Sequence, residues 1–431
     1  MLSIDFIREN KQKVADAAKH KNRVVELDTI LSYDEERKQL IHKIQKLREQ
    51  RNTQSEAKPD DSVIAQGKKI KEELKTLESR LLEIETKLQA LLLQIPNVPL
   101  DRVPVGKDEK DNVRERLWGK VPEFSFKSKS HIELAEDLDL VDFVRGSKVS
   151  GYRGYFLKNE LAQLHIGVLM FAYQTLIKNG FTPLIAPSLV KAFALEGTGQ
   201  FPWGKEEVYE TNDTDTYLSG TAEVPVTALH SGDILAESDL PKKYVALSPC
   251  FRKEAGSYGK DTKGLYRVHE FWKIEQVVLA KNDPAEGLAI HEELMKNAEE
   301  ILQGLELPYE VMLMCTGDMG EPQQYKHDIN TWMPSRNAYS ETMSNSLMGD
   351  FQARRLNLKY RTKDGKTQYC YTLNNTCIAS PRILIALLEN HQQEDGSVKI
   401  PKALQPFAGF KEIRNKSRFF RIADPDRISG N

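Results

Sequence analysis

The chain has 431 residues, enough for two or more domains and a large buried core. Its 61 Lys and Arg stand against 63 Asp and Glu, a formal net charge of -2, so no global field attracts nucleic acid and any RNA contact must come from locally sorted charge. Cys250, Cys315, Cys370 and Cys377 form no Cys-x-x-Cys pair and have no nearby His at ligand spacing, which argues against a zinc site and for reduced thiols.

Asp5, Arg8 and Glu9 interrupt any signal-peptide reading of the N-terminus. No apolar run approaches the roughly 20 residues a membrane helix needs, so a soluble cytoplasmic protein with no membrane partner is expected. Ile70, Leu74, Leu77, Leu81, Ile84, Leu88, Leu91 and Ile95 then repeat with alternating steps of four and three. That is a heptad seam. Ile30, Tyr33, Arg37, Leu40, Ile44, Leu47 and Arg51 follow the same alternation upstream, and Lys58-Pro59-Asp60-Asp61-Ser62 supplies turn chemistry and a cap between the runs. The spacing predicts an antiparallel helical hairpin over about 27–95, roughly 45 Å long at 1.5 Å per residue. Taken alone, it reads as a structural or dimerising coiled coil.

Pro96, Pro99, Pro104 and Gly106 mark a linker after Ile95, which places an N-terminal domain at 1–105 and a second domain at 115–431. In the second, Ser130 and Glu133 read as a capping box, Lys158 to Asn179 as a helix ended by Gly180, and Asp283, Pro284 and Glu286 as another helix start. Tyr244 to Phe251, Phe271 to Leu279 and Tyr309 to Met314 read as strands. Strands clustered between helices without regular alternation predict an α+β fold with a largely antiparallel sheet. No Gly-x-x-x-x-Gly-Lys-Ser/Thr loop occurs, so a nucleotide would be held by side chains on that sheet.

The densest chemistry lies in Pro249-Cys-Phe-Arg252-Lys253-Glu254-Ala-Gly256 and Arg267-Val268-His-Glu-Phe271-Trp-Lys273-Ile-Glu275. If both stretches are extended, Arg252 and Glu254 share one face, and Phe271, Lys273 and Glu275 share another. Phe271 and Glu275 would lie roughly 13 Å apart, suiting a stacked base at one end and a small charged substrate at the other. Arg252 can grip a phosphate between them.

These stretches resemble motif 2 of the class II aminoacyl-tRNA synthetases, and their wording is similar to the seryl-tRNA synthetase family. Thr221-Ala222-Glu223-Val-Pro225 resembles that family's serine-recognition segment, whereas Glu196-Gly197-Thr-Gly-Gln-Phe-Pro202 reads only as a glycine-containing loop. Ser340-Glu341-Thr342-Met343-Ser344 through Asp350-Phe-Gln-Ala-Arg-Arg355 and Leu373-Asn-Asn-Thr376-Cys-Ile-Ala-Ser-Pro-Arg382 match two further family segments, the second being motif 3.

The resemblance implies an ATP-dependent serine–tRNA ligase, working as a homodimer with the region around Gly180 to Pro187 at the interface. Pro183 and Pro187 also suit an ordinary edge strand. By resemblance Arg252 holds the α-phosphate and the incoming carboxylate, and Arg382 binds the γ-phosphate and covers the adenine. Phe271 stacks below the base, and Glu254 accepts from its amino group. Lys253, Val268, Thr342 and Met343 complete the ATP set. Glu341 and Ser344 occupy the family's Mg²⁺ positions, a donor pair suited to a hard cation that keeps several waters. Thr221, Ala222, Glu223, Arg252, Glu275 and Thr376 surround serine, without a decision on which takes the hydroxyl and which the ammonium. Outside this context Thr221 and Glu223 would read as a strand face and Thr376 as a helix cap. The hairpin is implied to contact the long variable arm of tRNA(Ser), with Lys38, Lys43, Lys46, Arg48, Lys68, Lys69 and Lys71 as candidate phosphate contacts. Neighbouring glutamates make plain solvation of the helices the alternative.

Two segments depart from the bacterial pattern: Asn374-Asn375-Thr376-Cys377 replaces Asn-Gly-Ser-Gly, and Met343-Ser344-Asn345-Ser346-Leu347 replaces Ser-Ser-Cys-Ser-Asn. Rival readings are a synthetase paralogue that loads a small amino acid onto a non-tRNA acceptor, and a non-catalytic coiled-coil interaction protein.

Overall fold

The computed structural model describes residues 1–55, 61–257 and 263–415, which divide into two compact units, Met1–Val98 and Pro99–Asn431. The division falls inside the proline-rich stretch rather than after it.

The first unit holds helices α1 (Ile4–Glu9), α2 (Lys11–His20), α3 (Leu27–Ser55) and α4 (Asp61–Leu92), with α3 and α4 packed side by side along the expected seam. Ile44, Ile70 and Leu74 bury together far out on the hairpin, and Ile30, Leu88, Leu92 and Ile95 bury near its base against Ile7 and Val14. The expected turn at 58–60 lies outside the described residues. Arg37, a polar interruption in the seam, has a partner: Asp34 is fully buried and pairs with Arg37 at 2.8 Å, Lys38 at 3.0 Å and Arg8. Burial pushes the Asp34 carboxyl up, but Lys38 and Arg37 outweigh it and hold it below the usual carboxylate range.

The second unit is built on an eight-stranded sheet: β1 (Val113–Trp118), β2 (Thr182–Ile185), β3 (Lys242–Phe251), β4 (Glu270–Ala280), β5 (Tyr309–Leu313), β6 (Tyr325–Met333), β7 (Ala338–Gly349) and β8 (Tyr371–Ser380). The spatial order is β1-β5-β6-β7-β8-β4-β3-β2. All pairings are antiparallel except β2 with β3, which places Pro183 on an edge strand, where its missing N–H costs no ladder bond. Helices α5 (Asn159–Lys178), α8 (Pro284–Gly304) and α9 (Arg382–Asn390) bury their apolar stripes with one sheet face in the main core, around Ile274, Val278, Leu373 and Met343. α7 (Glu223–Ala228) seals part of the opposite face through Ala222, Val226, Ala246 and Val277. The remainder of that face is the floor of the site.

The local signals act as expected at three ends. Ser130 and Glu133 form a reciprocal capping box, Asp283 accepts from the Ala285 and Glu286 amides with Pro284 in the first turn, and Gly180 sits at φ +88° just past α5. One reading needs correction. Glu196 to Thr198 are not loop but the last turn of α6 (Ala192–Thr198), and Gly199 at φ +85° supplies the left-handed stop.

Candidate active site

β4 carries the site's axis. Glu270 to Leu279 pair without a break against β3, so Phe271, Lys273 and Glu275 alternate onto one face as expected. The other half of the expectation fails. β3 ends at Phe251, and Glu254 takes φ +54°, so Arg252 and Glu254 do not share a strand face. They converge through their partners: the Arg252 guanidinium lies 5.3 Å from the Phe271 ring centroid and donates from Nε to the Gly220 carbonyl at 3.3 Å, while Glu254 accepts from Arg267 at 2.9 Å.

Arg252, Glu254, Val268, Phe271, Glu341, Thr342, Met343, Ser344, Thr376 and Arg382 all line one cavity. Arg382 opens α9 at the end of motif 3 and donates from Nη1 to the Glu341 carbonyl at 3.0 Å and from Nε to the Tyr266 carbonyl at 3.1 Å. Its guanidinium and that of Arg336 lie 4.3 and 3.8 Å from the Tyr266 ring centroid.

Glu341 and Ser344 are three residues apart on one strand, a spacing that would put them on opposite faces. Against β6, Ile329 pairs with Met343 but Asn330 pairs with Glu341, leaving Thr342 as an extra residue. This bulge turns Glu341 back onto the face of Ser344. The buried Thr342 hydroxyl pins it, 2.6 Å from Thr331 Oγ1 and 3.2 Å from the Ile329 carbonyl. Beside them, burial pushes the Asp328 carboxyl up to about 6 despite Lys326 at 3.0 Å, and its Oδ1 is buried without a partner among the described residues. Burial raises the Glu341 carboxyl too, but Arg382 and Lys326 more than reverse it and hold it below the ordinary carboxylate value. An ionised carboxylate, a hydroxyl and a spare carboxylate oxygen fit a hard divalent cation that takes its other ligands from phosphates and water.

At the other end of the cavity stands a polar cluster. Lys273 Nζ lies 2.6 Å from Glu275 Oε2, 2.7 Å from Thr221 Oγ1 and 3.2 Å from Thr376 Oγ1, and Thr376 donates to Glu275 at 3.1 Å. Thr221 and Glu223 lie at the start of α7, not on a strand face, and Thr376 is mid-strand, not a cap. Glu223 accepts from the Gln352 amide at 2.7 Å and has no ion-pair partner among the described residues. Burial, reinforced by Glu275, pushes its carboxyl up to about 7. Glu223 and Arg252 also border a second, more open cavity alongside.

Two expected residues stand apart. Ala222 turns its side chain into the apolar cluster with Val226 and Val277. Lys253 places its ammonium 5.7 Å from the Tyr209 ring centroid, away from the cavity. Lys273, Arg267, Tyr266 and Gln352 were not among the expected site residues. The face shared by Phe271, Lys273 and Glu275 was the available signal for Lys273.

Residues 1–99 match the family described as seryl-tRNA synthetase N-terminal domain, and residues 206–391 match the tRNA synthetase class II core domain (G, H, P, S and T). A serine–tRNA ligase of Deinococcus radiodurans is 47% identical over 96% of this chain and 99% of its own length. The chain belongs to the seryl-tRNA synthetase family. The Pyrococcus horikoshii serine–tRNA ligase is 42% identical over 96% of this synthetase and 97% of its own length. A crystal structure of the Pyrococcus horikoshii enzyme complexed with ATP superimposes with a TM-score of 0.89, at 40% identity over 96% and 100% of the two chains. The cytoplasmic enzyme of Naegleria fowleri in complex with AMP gives 0.87, at 31% identity over 96% and 99%. The synthetase is therefore an α+β class II enzyme with an N-terminal helical arm.

Proposed function

We propose that this synthetase activates L-serine with ATP and transfers the seryl group to tRNA(Ser). A serine carboxylate oxygen attacks the α-phosphorus, the bond to the bridging oxygen breaks, and pyrophosphate leaves. A hydroxyl of the terminal ribose of tRNA then attacks the seryl carbonyl, its proton passes to the departing phosphate, and the acyl–phosphate bond breaks to release AMP. The attacking carboxylate is already ionised at neutral pH, so the first step needs no general base. Its difficulty is bringing two anions together.

The observation that carries this reading is that Arg252, its guanidinium 5.3 Å from the Phe271 ring centroid, lines one cavity with Phe271 and with Lys273 and Thr376 of the polar cluster. Its planar fork suits one phosphate oxygen and one carboxylate oxygen together. Adenine stacks on Phe271 with Glu254 accepting from its amino group, and Arg382 covers it and reaches the γ-phosphate. Val268, Thr342 and Met343 complete that wall. Glu341 and Ser344 would hold a Mg²⁺ ion, which when bound neutralises phosphate charge. Glu223, which has no ion-pair partner among the described residues, receives the serine ammonium, while Glu275 and Thr376 take the hydroxyl. A site that hydrogen-bonds this hydroxyl rejects alanine by about 10⁴ to 10⁵, because its polar groups would otherwise stay unpaired.

The unit 1–98 binds tRNA through the hairpin. Lys43, Lys46, Lys68, Lys69 and Lys71 are exposed and suited to phosphates, whereas Lys38 and Arg48 already pair with Asp34 and with Glu78 at 2.7 Å. A homodimer is supported by apolar side chains exposed around edge strand β2, Ile185 at 82% and Leu189 at 58% among them. No helix among the described residues is long and apolar enough to cross a membrane. An enzyme that charges tRNA works where translation occurs, so the cytoplasm is its proposed location. Pyrophosphate exchange with a panel of amino acids, followed by tRNA charging, tests the reading. Exchange with serine alone is expected.

A further inference from the structure

We infer that Asn375 and Gln276 are positioning residues for the serine pocket, acting through a hydrogen-bonded chain of amides on the sheet face opposite the cavity. The inference rests on the serine reading of that cavity. Asn179, at the end of α5, donates from Nδ2 to Asn297 Oδ1 at 3.0 Å, and Asn297 on α8 donates to Gln276 Oε1 at 2.7 Å. Gln276 Nε2 donates to Asn375 Oδ1 at 2.8 Å, and Asn375 Nδ2 donates to the Ser344 carbonyl at 3.2 Å. Every donor runs the same way. Main-chain carbonyls fix this direction, because Gln276 Nε2 also donates to the Leu294 carbonyl at 3.1 Å and a carbonyl can only accept. Amides aligned head to tail polarise one another, which strengthens each bond.

The chain crosses the sheet where its register is vulnerable. Against β4, Ile378 pairs with Ile274 but Thr376 pairs with Glu275, so Cys377 is an extra, bulged residue on β8. The very next pair is Asn375 with Gln276. A slip of one residue would carry Thr376 from the cavity to the core. The amide pair, with Cys377 Sγ 3.3 Å from Asn375 Oδ1, ties the bulge at the position where Thr376 must meet Glu275. Through the Ser344 carbonyl the chain also touches β7, but β7 is held to β8 independently by the ladder pairs Asn345 with Asn375 and Leu347 with Leu373.

Kinetics of Asn375→Ala, Gln276→Ala and Asn297→Ala test this, because these side chains lie on the opposite face from the cavity. In Asn375→Ala the serine KM is expected to rise about ten-fold, the loss matching one net hydrogen bond of positioning. The ATP KM should stay within about two-fold. Asn297→Ala, two links away, should shift the serine KM in the same direction, and the Asn297→Ala/Asn375→Ala double variant no further than Asn375→Ala alone. A serine KM unchanged in all three, with only a lower melting temperature or fewer active sites, overturns the inference, as does full additivity. Amide hydrogen exchange over 374–378 in the free protein gives a readout independent of activity. Faster exchange in Asn375→Ala is expected, and unchanged exchange counts against the chain. Wild-type exchange with serine, run alongside, reports on the serine reading by itself. Should another amino acid be the substrate, the same KM comparison is made with it.

Discussion

Lys273 Nζ and Glu275 Oε2 stand 2.6 Å apart with side chains only 5% and 2% exposed, a buried ion pair on the one face of β4 that borders the polar end of the cavity. Both charges have further hydrogen bonds, from Lys273 to Thr221 and Thr376 and to Glu275 from Thr376, which is what makes the burial tolerable.

Removing one partner leaves the other uncompensated. Lys273→Met is therefore expected to destabilise the fold by about 3–5 kcal/mol in denaturant unfolding and to abolish serine-dependent exchange. A variant with wild-type stability would show that the pair is not buried as described.

Arg252→Ala should behave oppositely. Its guanidinium is held by one main-chain bond and a ring face, so the fold should survive while exchange falls by about 10² to 10³. Circular dichroism and exchange measured on one preparation separate the two effects. Retained exchange would contradict the role given to Arg252.

Glu223 predicts a pH dependence with a definite sign. Its carboxyl, ordinarily at 4.5, is pushed up to about 7 by burial, so the native state holds this proton more tightly than the unfolded chain. Its contribution to stability is full below pH 4.5 and declines as pH rises through about 7. Serine binding should run the other way, because an ammonium needs the ionised carboxylate. The serine KM should rise as pH falls below about 7, and Glu223→Gln should flatten both profiles.

The Mg²⁺ site proposed at Glu341 and Ser344 gives a fourth expectation. Glu341→Gln should raise the Mg²⁺ concentration needed for half-maximal exchange, and a chelator should stop exchange in the wild type. An unchanged Mg²⁺ requirement in the variant would remove Glu341 from the site.

What the sequence revealed follows from which interactions are local. The hairpin was legible because a heptad seam is a one-dimensional pattern, and Ile44, Ile70 and Leu74 bury where the period puts them. The face shared by Phe271, Lys273 and Glu275 was legible because β4 runs without a bulge against β3. Glu341 with Ser344 shows the limit. Periodicity would separate them, and only the motif's wording placed them together, because the bulge at Thr342 depends on pairing with a strand distant in sequence. The left-handed turn at Glu254 was missed because its partner Arg267 lies beyond the local window, and the helical Glu196 because the first amide of α6, at Ala192, donates to Asp215, 23 residues on. Asn375 and Cys377 stand where the bacterial pattern has glycine. Their side chains face the core around α8, where hydrogen bonds to Gln276 and Ser344 occupy Asn375.

The most direct test of the account is ATP–pyrophosphate exchange with each of the amino acids in turn, followed by charging of tRNA with and without residues 27–95. The account predicts exchange with serine, rejection of alanine and threonine, and charging that needs the hairpin while exchange does not. Exchange without charging by the full chain would favour a paralogue with another acceptor. No exchange with any amino acid would contradict the enzyme reading and leave a coiled-coil interaction protein in its place.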